Sequence, residues 1–417
     1  MRIRASGTAV AALLATAVLL TACGGGSSSS SSPTGSAAPT AKLTGAPIKI
    51  GQIAPTDNSF YNTPDYVAVA RAAVRGVNAR GGINGRPLEL VYCNDQFDPN
   101  KAAACARKLV DEHVVATVKS IVAQGGAQVS DILAKAGIPQ VGLGALTPTE
   151  YKASNSYLMD GGLNYPYAAA MMGAAQEGRK KVFIATTDNA PAGPFIAAMQ
   201  QVAAKLSMQV VGTQKLPVTT ADYAPFVTAI QRSGADSAVI ALTQQGVVQT
   251  LQAADQNGVR VSWLLNSGTL RPQDYGQLSG DVTDTIIHGT SVPPLSAADD
   301  NPAVRRMSED LQAELASGDK DADPKALFGT SLLAWPAVVA VAELLAKAPT
   351  KDAPGLVAQL DAAKDLDLGV LPPWTPTESV STTYPRISNP FAYLVKVTDG
   401  EPVLASPDPV DVRKVLS

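Results

Sequence analysis

The chain has 417 residues, 46% of them hydrophobic and 17% charged, and its 33 basic and 36 acidic side chains leave a net charge of −3. This length predicts more than one folded unit. The near-neutral charge excludes the basic excess that nucleic-acid-binding proteins usually carry. Two histidines and three cysteines exclude a multi-histidine metal site and a four-cysteine zinc site. We therefore expect no metal, no cofactor and no nucleic-acid partner.

Residues 1–22 have the pattern of an export signal. Arg2 and Arg4 precede the apolar run Gly7–Ala22, which is shorter than the roughly 20 residues that span a bilayer and is typical of a secretory signal peptide. The run ends in Leu-Thr-Ala-Cys, which resembles the lipobox of bacterial lipoproteins. The resemblance implies that Cys23 is lipidated and becomes the first residue of the mature protein. The alternative is an ordinary signal peptide followed by an incidental cysteine.

Residues 23–46 are predicted to be a flexible linker. Three glycines, 24–26, are followed by six serines, 27–32, and such a segment cannot bury an apolar surface. A linker of this kind would connect a lipid on Cys23 to a folded body. We expect an exported protein that is lipid-anchored at the outer surface of the cell membrane.

Two cysteines, Cys93 and Cys105, remain in the folded part of the chain. Exported proteins fold in an oxidising compartment, which favours a disulfide between them. The alternative is a pair of buried free thiols.

From residue 47 onward, strands and helices alternate, which predicts an α/β fold with parallel sheets. In chain order, strands are predicted over Ile48–Ile53, Leu88–Tyr92, part of Val114–Val122, Ile138–Val141, Lys181–Thr186, Gln209–Val211, Ser237–Leu242, Val261–Leu265 and Phe391–Val397. Helices are predicted over Asp65–Arg80, Asn100–Glu112, Ala127–Ala136, Pro194–Leu206, Tyr223–Ser233 and Val247–Asn257. The apolar run Leu332–Ala342 is too short to span a membrane and is predicted to be a buried helix.

Two α/β blocks predict two lobes, with a break near Gly161–Leu163. We expect one lobe over residues 47–162 plus about 290–365, and a second over 163–289 plus about 366–417. Because the chain after His288 has few strands, it must complete both lobes by crossing between them.

The sequence contains no phosphate-binding loop, nucleophile elbow, zinc-protease motif or calcium loop. His113 and His288 are interpreted as structural residues. Binding is therefore favoured over catalysis, and ligands of parallel sheets lie beyond the carboxyl ends of the strands. Small or polar residues follow the predicted strands at 123–126, 145–147, 188–190, 243–245 and 266–268.

Four segments carry a resemblance to a known family. Ile48–Gly51, the sequence NARGGINGRPL over Asn78–Leu88, Ala136–Val141 and Phe391–Gly400 are similar to segments of the branched-chain amino-acid-binding proteins. The resemblance implies a type I periplasmic-binding fold, with two Rossmann-like lobes joined by three hinge crossings. It further implies a monomeric, non-enzymatic protein that delivers a small ligand to an ABC permease. The alternative is a sensor of the same fold that signals to a membrane receptor.

The resemblance also implies a set of ligand-binding residues. Together with the loops that follow the strands, they are Tyr61, Ala123, Gln124, Ala145, Leu146, Thr147, Asn189, Thr243, Asn266 and Ser267. Thr147 would contribute a hydroxyl to the ligand, so Thr147→Ala is expected to weaken binding. Ser267 stands where the family has an acidic residue that pairs with the ligand ammonium.

The absence of that acidic residue affects which class of ligand is expected to bind. A buried ammonium without a carboxylate partner costs several kcal/mol, so we expect α-amino acids to bind poorly. The ligand would then be an amide, a urea-like compound, a carboxylic acid or an aromatic acid. If the alignment is shifted by a few residues, Asp188 would supply the missing charge.

Overall fold

The computed structural model describes residues 43–58, 61–189 and 191–416. The predicted signal peptide, Cys23 and the linker up to residue 42 lie outside these residues. The strands, in chain order, are β1 (Ile48–Ile53), β2 (Leu88–Cys93), β3 (Thr117–Val118), β4 (Gln140–Val141), β5 (Ser156–Tyr157), β6 (Lys181–Thr187), β7 (Gln209–Leu216), β8 (Ser237–Ala241), β9 (Ser262–Asn266), β10 (Ile286–Thr290), β11 (Phe391–Thr398), β12 (Glu401–Leu404) and β13 (Val410–Asp411).

The α-helices, in chain order, are α1 (Pro64–Ala79), α2 (Pro99–Asp111), α3 (Gly126–Lys135), α4 (Asn164–Gln176), α5 (Ala192–Lys205), α6 (Ala224–Ser233), α7 (Gln244–Gln256), α8 (Pro272–Tyr275), α9 (Gly280–Thr283), α10 (Pro302–Ala316), α11 (Ala334–Lys347), α12 (Ala353–Ala362) and α13 (Arg413–Leu416). Short 3₁₀ helices lie between α9 and α11.

The first sheet has the strand order β2-β1-β3-β4-β5 and is entirely parallel. Its central strand β1 is buried on both faces, which suits its apolar sequence. One face packs against α1, α10, α11 and α12, and the other against α2 and α3. We call this sheet and its helices the first lobe.

The turn after α1 explains the sequence that carried the resemblance. Gly82 has φ +63°, a conformation that L side chains rarely adopt, and a Cβ on it would lie 2.2 Å from the carbonyl oxygen of Arg86. Asn78 holds the start of β2, because its side chain donates to the Leu88 carbonyl and accepts from the Leu88 N–H, both at 2.8 Å. The turn therefore sets the position of α1 against β2.

The second sheet runs β12-β11-β10-β9-β8-β6-β7, with β13 also paired to β11. The strands from β6 to β10 pair in parallel, whereas β11 is antiparallel to β10, β12 and β13. One face packs against α4, α5 and α13, and the other against α6 and α7. This sheet and its helices form the second lobe.

Three segments connect the lobes: residues 158–163, 291–301 and 363–390. The first and third contact each other directly. The Ser388 hydroxyl donates to the Leu158 carbonyl, and the Asn389 amide donates to the Met159 carbonyl, each at 2.9 Å. The expected α/β architecture, with two lobes and three crossings, is confirmed.

Most predicted elements form within a few residues of the predicted limits, but several elements were not predicted, among them β5, β12, α4, α10 and α12. The disulfide is confirmed, because Cys93 and Cys105 are bonded. The apolar run before Glu343 is a buried helix as predicted. Gly329–Lys347 is long and apolar enough to span a membrane, but 83% of that window is buried inside the protein.

Candidate functional site

A cavity of about 520 Å³ lies where the carboxyl ends of the strands of the two lobes face each other. Tyr66, Lys119 and Leu146 line it from the first lobe, and Thr187 and Phe195 line it from the second. A second, more polar compartment adjoins it, and Tyr61, Thr243 and several other residues line both. The two compartments form one cleft between the lobes.

Six of the predicted ligand-binding residues line the first compartment: Tyr61, Ala145, Leu146, Asn189, Thr243 and Asn266. Ser267 lines the second compartment, where its fully buried hydroxyl has no hydrogen-bond partner. Ala123, Gln124 and Thr147 are not among the lining residues of either compartment. The structure thus brings seven of the ten residues to the cleft.

Thr147 acts on the loop that lines the cleft. Oε2 of the buried Glu150 accepts hydrogen bonds from the N–H groups of Leu146 and Thr147 and from the Thr147 hydroxyl, at 2.8–3.0 Å. Burial raises the pKa of the Glu150 carboxyl, and these donors oppose the shift. The Tyr151 hydroxyl holds the same loop by donating to the Ala145 carbonyl at 2.8 Å.

We expect Glu150→Ala to lower the free energy of unfolding by about 1–3 kcal/mol, because it leaves two backbone donors without their acceptor. Thr147→Ala removes only one of the three donors and should cost less. Urea denaturation of the ligand-free protein measures both. Glu309→Ala, at an exposed position of α10, is the control and should match the wild type. Equal stability of Glu150→Ala and wild type would contradict this role of Glu150.

A buried ion pair lies in the first compartment. Lys119 Nζ is 3.5 Å from Asp160 Oδ2, and the two side chains are 2% and 17% exposed. The ammonium also lies 5.7 Å from the centre of the Tyr66 ring. Burial lowers the pKa of Lys119, and the Asp160 carboxylate opposes the shift. Lys119 has φ 39°, a left-handed backbone conformation that is unfavourable for lysine. Backbone strain of this kind is typical of functional sites.

A second ion pair connects the two lobes. Arg271, which follows β9, places Nη2 at 3.3 Å from Oδ1 of Asp65 in α1. Burial raises the pKa of Asp65, and the guanidinium opposes that shift. Nearby, the hydroxyls of Tyr66 and Thr330 lie 2.6 Å apart. All four residues line the second compartment.

The walls of the first compartment are largely apolar. Among the described residues, the large hydrophobic side chains that remain exposed are Leu146, Leu163 and Val218, at 44%, 47% and 67% exposure. All three line this compartment. Tyr167 and Phe195 also line this compartment. Their rings pack edge to face, with centroids 5.1 Å apart.

Sequence analysis missed the four charged residues of the cleft: Asp65, Lys119, Asp160 and Arg271. A lysine directly after the buried strand β3 is the signal that would have identified Lys119, because a charge at that place requires a partner. No comparable signal exists for the Asp65–Arg271 pair, which the fold brings together from distant parts of the chain. In the described ranges, no cluster of three or more metal-ligating side chains occurs.

His113 and His288 have the structural roles that were predicted. His113 is exposed at the end of α2. His288 is fully buried in β10, and its Nε2 lies 2.9 Å from the Tyr275 hydroxyl. Burial lowers the pKa of His288 to about 3, so that the ring is neutral at physiological pH.

Comparisons with known proteins agree with this architecture. The leucine-specific-binding protein of Salmonella typhimurium is 25% identical over 301 residues, covering 71% of this chain and 76% of that protein. A fatty acid ABC transporter substrate-binding protein from Thermomonospora curvata superposes with a TM-score of 0.71 at 18% identity, covering 90% of this chain and 96% of that one. A solute-binding protein from R. palustris in complex with 4-hydroxybenzoate has a TM-score of 0.68 at 20% identity, covering 88% and 97%.

The sequence profile of the periplasmic binding protein family matches residues 47–401, which include nearly all of both lobes and the cleft between them. This match agrees with the resemblance seen in the sequence, and members of the family bind substrates without transforming them. The chain therefore belongs to the periplasmic binding proteins, and it is a solute-binding protein rather than an enzyme.

Proposed function

We propose that this protein is exported, is anchored to the outer surface of the cell membrane by a lipid on Cys23, and delivers a small ligand to an ABC permease. The observation that carries ligand capture is the cavity of about 520 Å³ between the two lobes, whereas export and the lipid anchor rest on the signal-peptide and lipobox pattern of residues 1–23. Such a volume suits a small molecule, since ligand pockets typically measure about 300–1,000 Å³.

The ligand is an amino acid or a related amide or carboxylate. Among similar proteins, one is a leucine-specific-binding protein, another is in complex with 4-hydroxybenzoate, and a third is named for fatty acid transport. The cleft of this chain has apolar walls and buried charged groups, which suits a small molecule with an apolar part and a polar end.

Binding is coupled to closure of the lobes. We propose that residues 47–162 with about 290–365 move as one body, and that residues 163–289 with about 366–417 move as the other. A ligand that contacts both lobes favours the closed form, because those contacts exist only when the lobes are together. The Asp65–Arg271 ion pair joins the two lobes and so stabilises the closed form. The permease then recognises the closed form.

A thermal-shift screen of residues 47–417 tests ligand capture. The protein is first unfolded and refolded to remove any bound ligand, and is then mixed with branched-chain amino acids, amides, urea derivatives and carboxylic acids. A ligand at 100 times its Kd adds about 2.7 kcal/mol of stability, which raises the melting temperature measurably. A native protein that carries no extractable small molecule and is stabilised by none of these classes would contradict solute capture.

Lipidation is tested separately by radiolabelled palmitate in cells that express the full chain. We expect label in the wild type and none in Cys23→Ser. Equal labelling of the two would place the anchor elsewhere.

A further inference from the structure

Lys119 has donor capacity that its protein partners do not use. A lysine ammonium carries three donors and no acceptor, and the structure gives it one ion-pair partner, Asp160, at 3.5 Å. That distance is longer than the roughly 2.7–2.9 Å of a strong charge-assisted hydrogen bond. The ammonium is nonetheless shielded from solvent and lines the first compartment. An oxygen acceptor on a ligand in this compartment would therefore accept a hydrogen bond from the unused donors of the Lys119 ammonium.

A ligand ammonium has no corresponding place. Among the described residues lining the first compartment, the single carboxylate is that of Asp160. Its Oδ1 accepts from the Gly162 N–H at 3.0 Å, and its Oδ2 faces Lys119. In the second compartment, Asp65 is paired with Arg271. A ligand ammonium would compete with a protein cation for either carboxylate, and Ser267 offers a hydroxyl without charge.

The remaining surface of the compartment is suited to hydrocarbon. Leu146, Leu163 and Val218 are exposed to the cavity rather than to a protein neighbour, and covering them removes apolar surface from water. A ligand with an apolar body would cover them. A ligand that suits both features therefore has an oxygen acceptor at one end, facing Lys119, and a hydrocarbon part at the other end, covering these three side chains.

We propose that Lys119 determines the specificity of the cleft: its ammonium binds the carboxylate of an apolar monocarboxylate that lacks an α-ammonium. The inference rests on the proposed function, because it names the ligand class of the same cleft. A ligand carboxylate would also favour the charged form of Lys119, whose pKa is lowered by burial.

Two series of probes with matched hydrocarbon bodies test this assignment. The first is 4-methylpentanoate, leucine and 4-methylpentanamide, and the second is 3-phenylpropanoate, phenylalanine and 3-phenylpropanamide. Calorimetric titration of the refolded protein should give at least one acid that binds about 10- to 100-fold more tightly than both the amino acid and the amide of its series. Tighter binding of the amino acid, or binding of neither acid while another compound binds, would overturn the inference.

Lys119→Met should weaken binding of the preferred acid about 10- to 100-fold and leave the amide unchanged. Lys135→Met, at an exposed position of α3, is the matched control and should bind like the wild type. Circular dichroism and the melting temperature of the ligand-free variant show whether it folds. Equal loss of acid and amide binding in a folded Lys119→Met protein would overturn a role in specificity.

Asp160→Asn gives a second test that keeps the Lys119 side chain and removes the carboxylate paired with it. The amide oxygen can still accept from the Gly162 N–H, while the competing negative charge is lost. We expect this variant to bind the acid more tightly than the wild type does. A ligand held instead by contact between its ammonium and Asp160 would bind this variant more weakly. Because loss of the Asp160 charge also lowers the pKa of Lys119, the titration is repeated at lower pH, where the lysine is charged. Acid binding weaker than in the wild type at that pH would overturn the inference. Failure of the proposed function is distinguishable from these outcomes, because then no class of solute binds the wild type at all.

Discussion

Gly289→Ala should destabilise the protein by about 1–3 kcal/mol and also weaken ligand binding. A Cβ on this residue of β10 would lie 2.0 Å from the carbonyl oxygen of Pro166 in α4. That atom belongs to the backbone, so no side-chain rotation relieves the overlap, and the helix must move away from the sheet at a cost typical of overpacking. Because Pro166 also lines the cleft, the displacement reaches the ligand. Urea denaturation and ligand titration measure the two effects.

Gly193→Ala is the matched control for this substitution. Gly193 lies in α5, and a Cβ there would have no atom within 4 Å. Alanine is favoured over glycine in helices, so this variant should be at least as stable as the wild type. An unchanged urea midpoint for Gly289→Ala would show that α4 does not lie this close to β10.

Loss of the disulfide should have an effect of comparable size. Cys93 ends β2 and Cys105 lies in α2, with 12 residues of sequence separation and 5.6 Å between their Cα atoms. Opening a loop of this length lowers the free energy of unfolding by about 3 kcal/mol in the chain-entropy account. The double variant Cys93→Ala/Cys105→Ala avoids a free thiol and should show this loss in urea denaturation.

The wild type in reducing agent provides the control for the disulfide. Reduction should destabilise the wild type towards the double variant, while the double variant should not respond to the reductant. A wild type that is equally stable with and without the reductant would contradict the stabilising role of the disulfide.

The alternation of elements could be predicted because most helices and strands have a clear period. α4 could not, because its residues from Tyr165 to Ala174 are buried on all sides. A helix that is apolar all round has no amphipathic pattern to detect. β7 extends to Leu216, beyond the predicted Val211, and its middle residues are half-buried. Strand pairing rather than local hydrophobicity therefore determines its length.

The candidate site was predicted less completely, for physical reasons that individual residues illustrate. Residues at or just beyond the carboxyl ends of strands, such as Asn266 and Thr243, were found because parallel strands bring those ends together. Thr147 was expected to meet the ligand, yet its hydroxyl donates to Glu150 three residues later. Asp65 and Arg271 come from different lobes, and no local pattern relates residues so far apart in the chain.

The first lobe is completed late in the sequence, which has a consequence for biogenesis. Arg80, at the end of α1, makes two hydrogen bonds to Asp310, which is 230 residues further along the chain. Trp335 donates to the same carboxylate at 2.8 Å. While the chain is being synthesised, its N-terminal third has no α10 or α11 to cover the apolar side of α1. That apolar surface stays uncovered until the C-terminal third of the chain has been made, so the first lobe cannot complete its core before then.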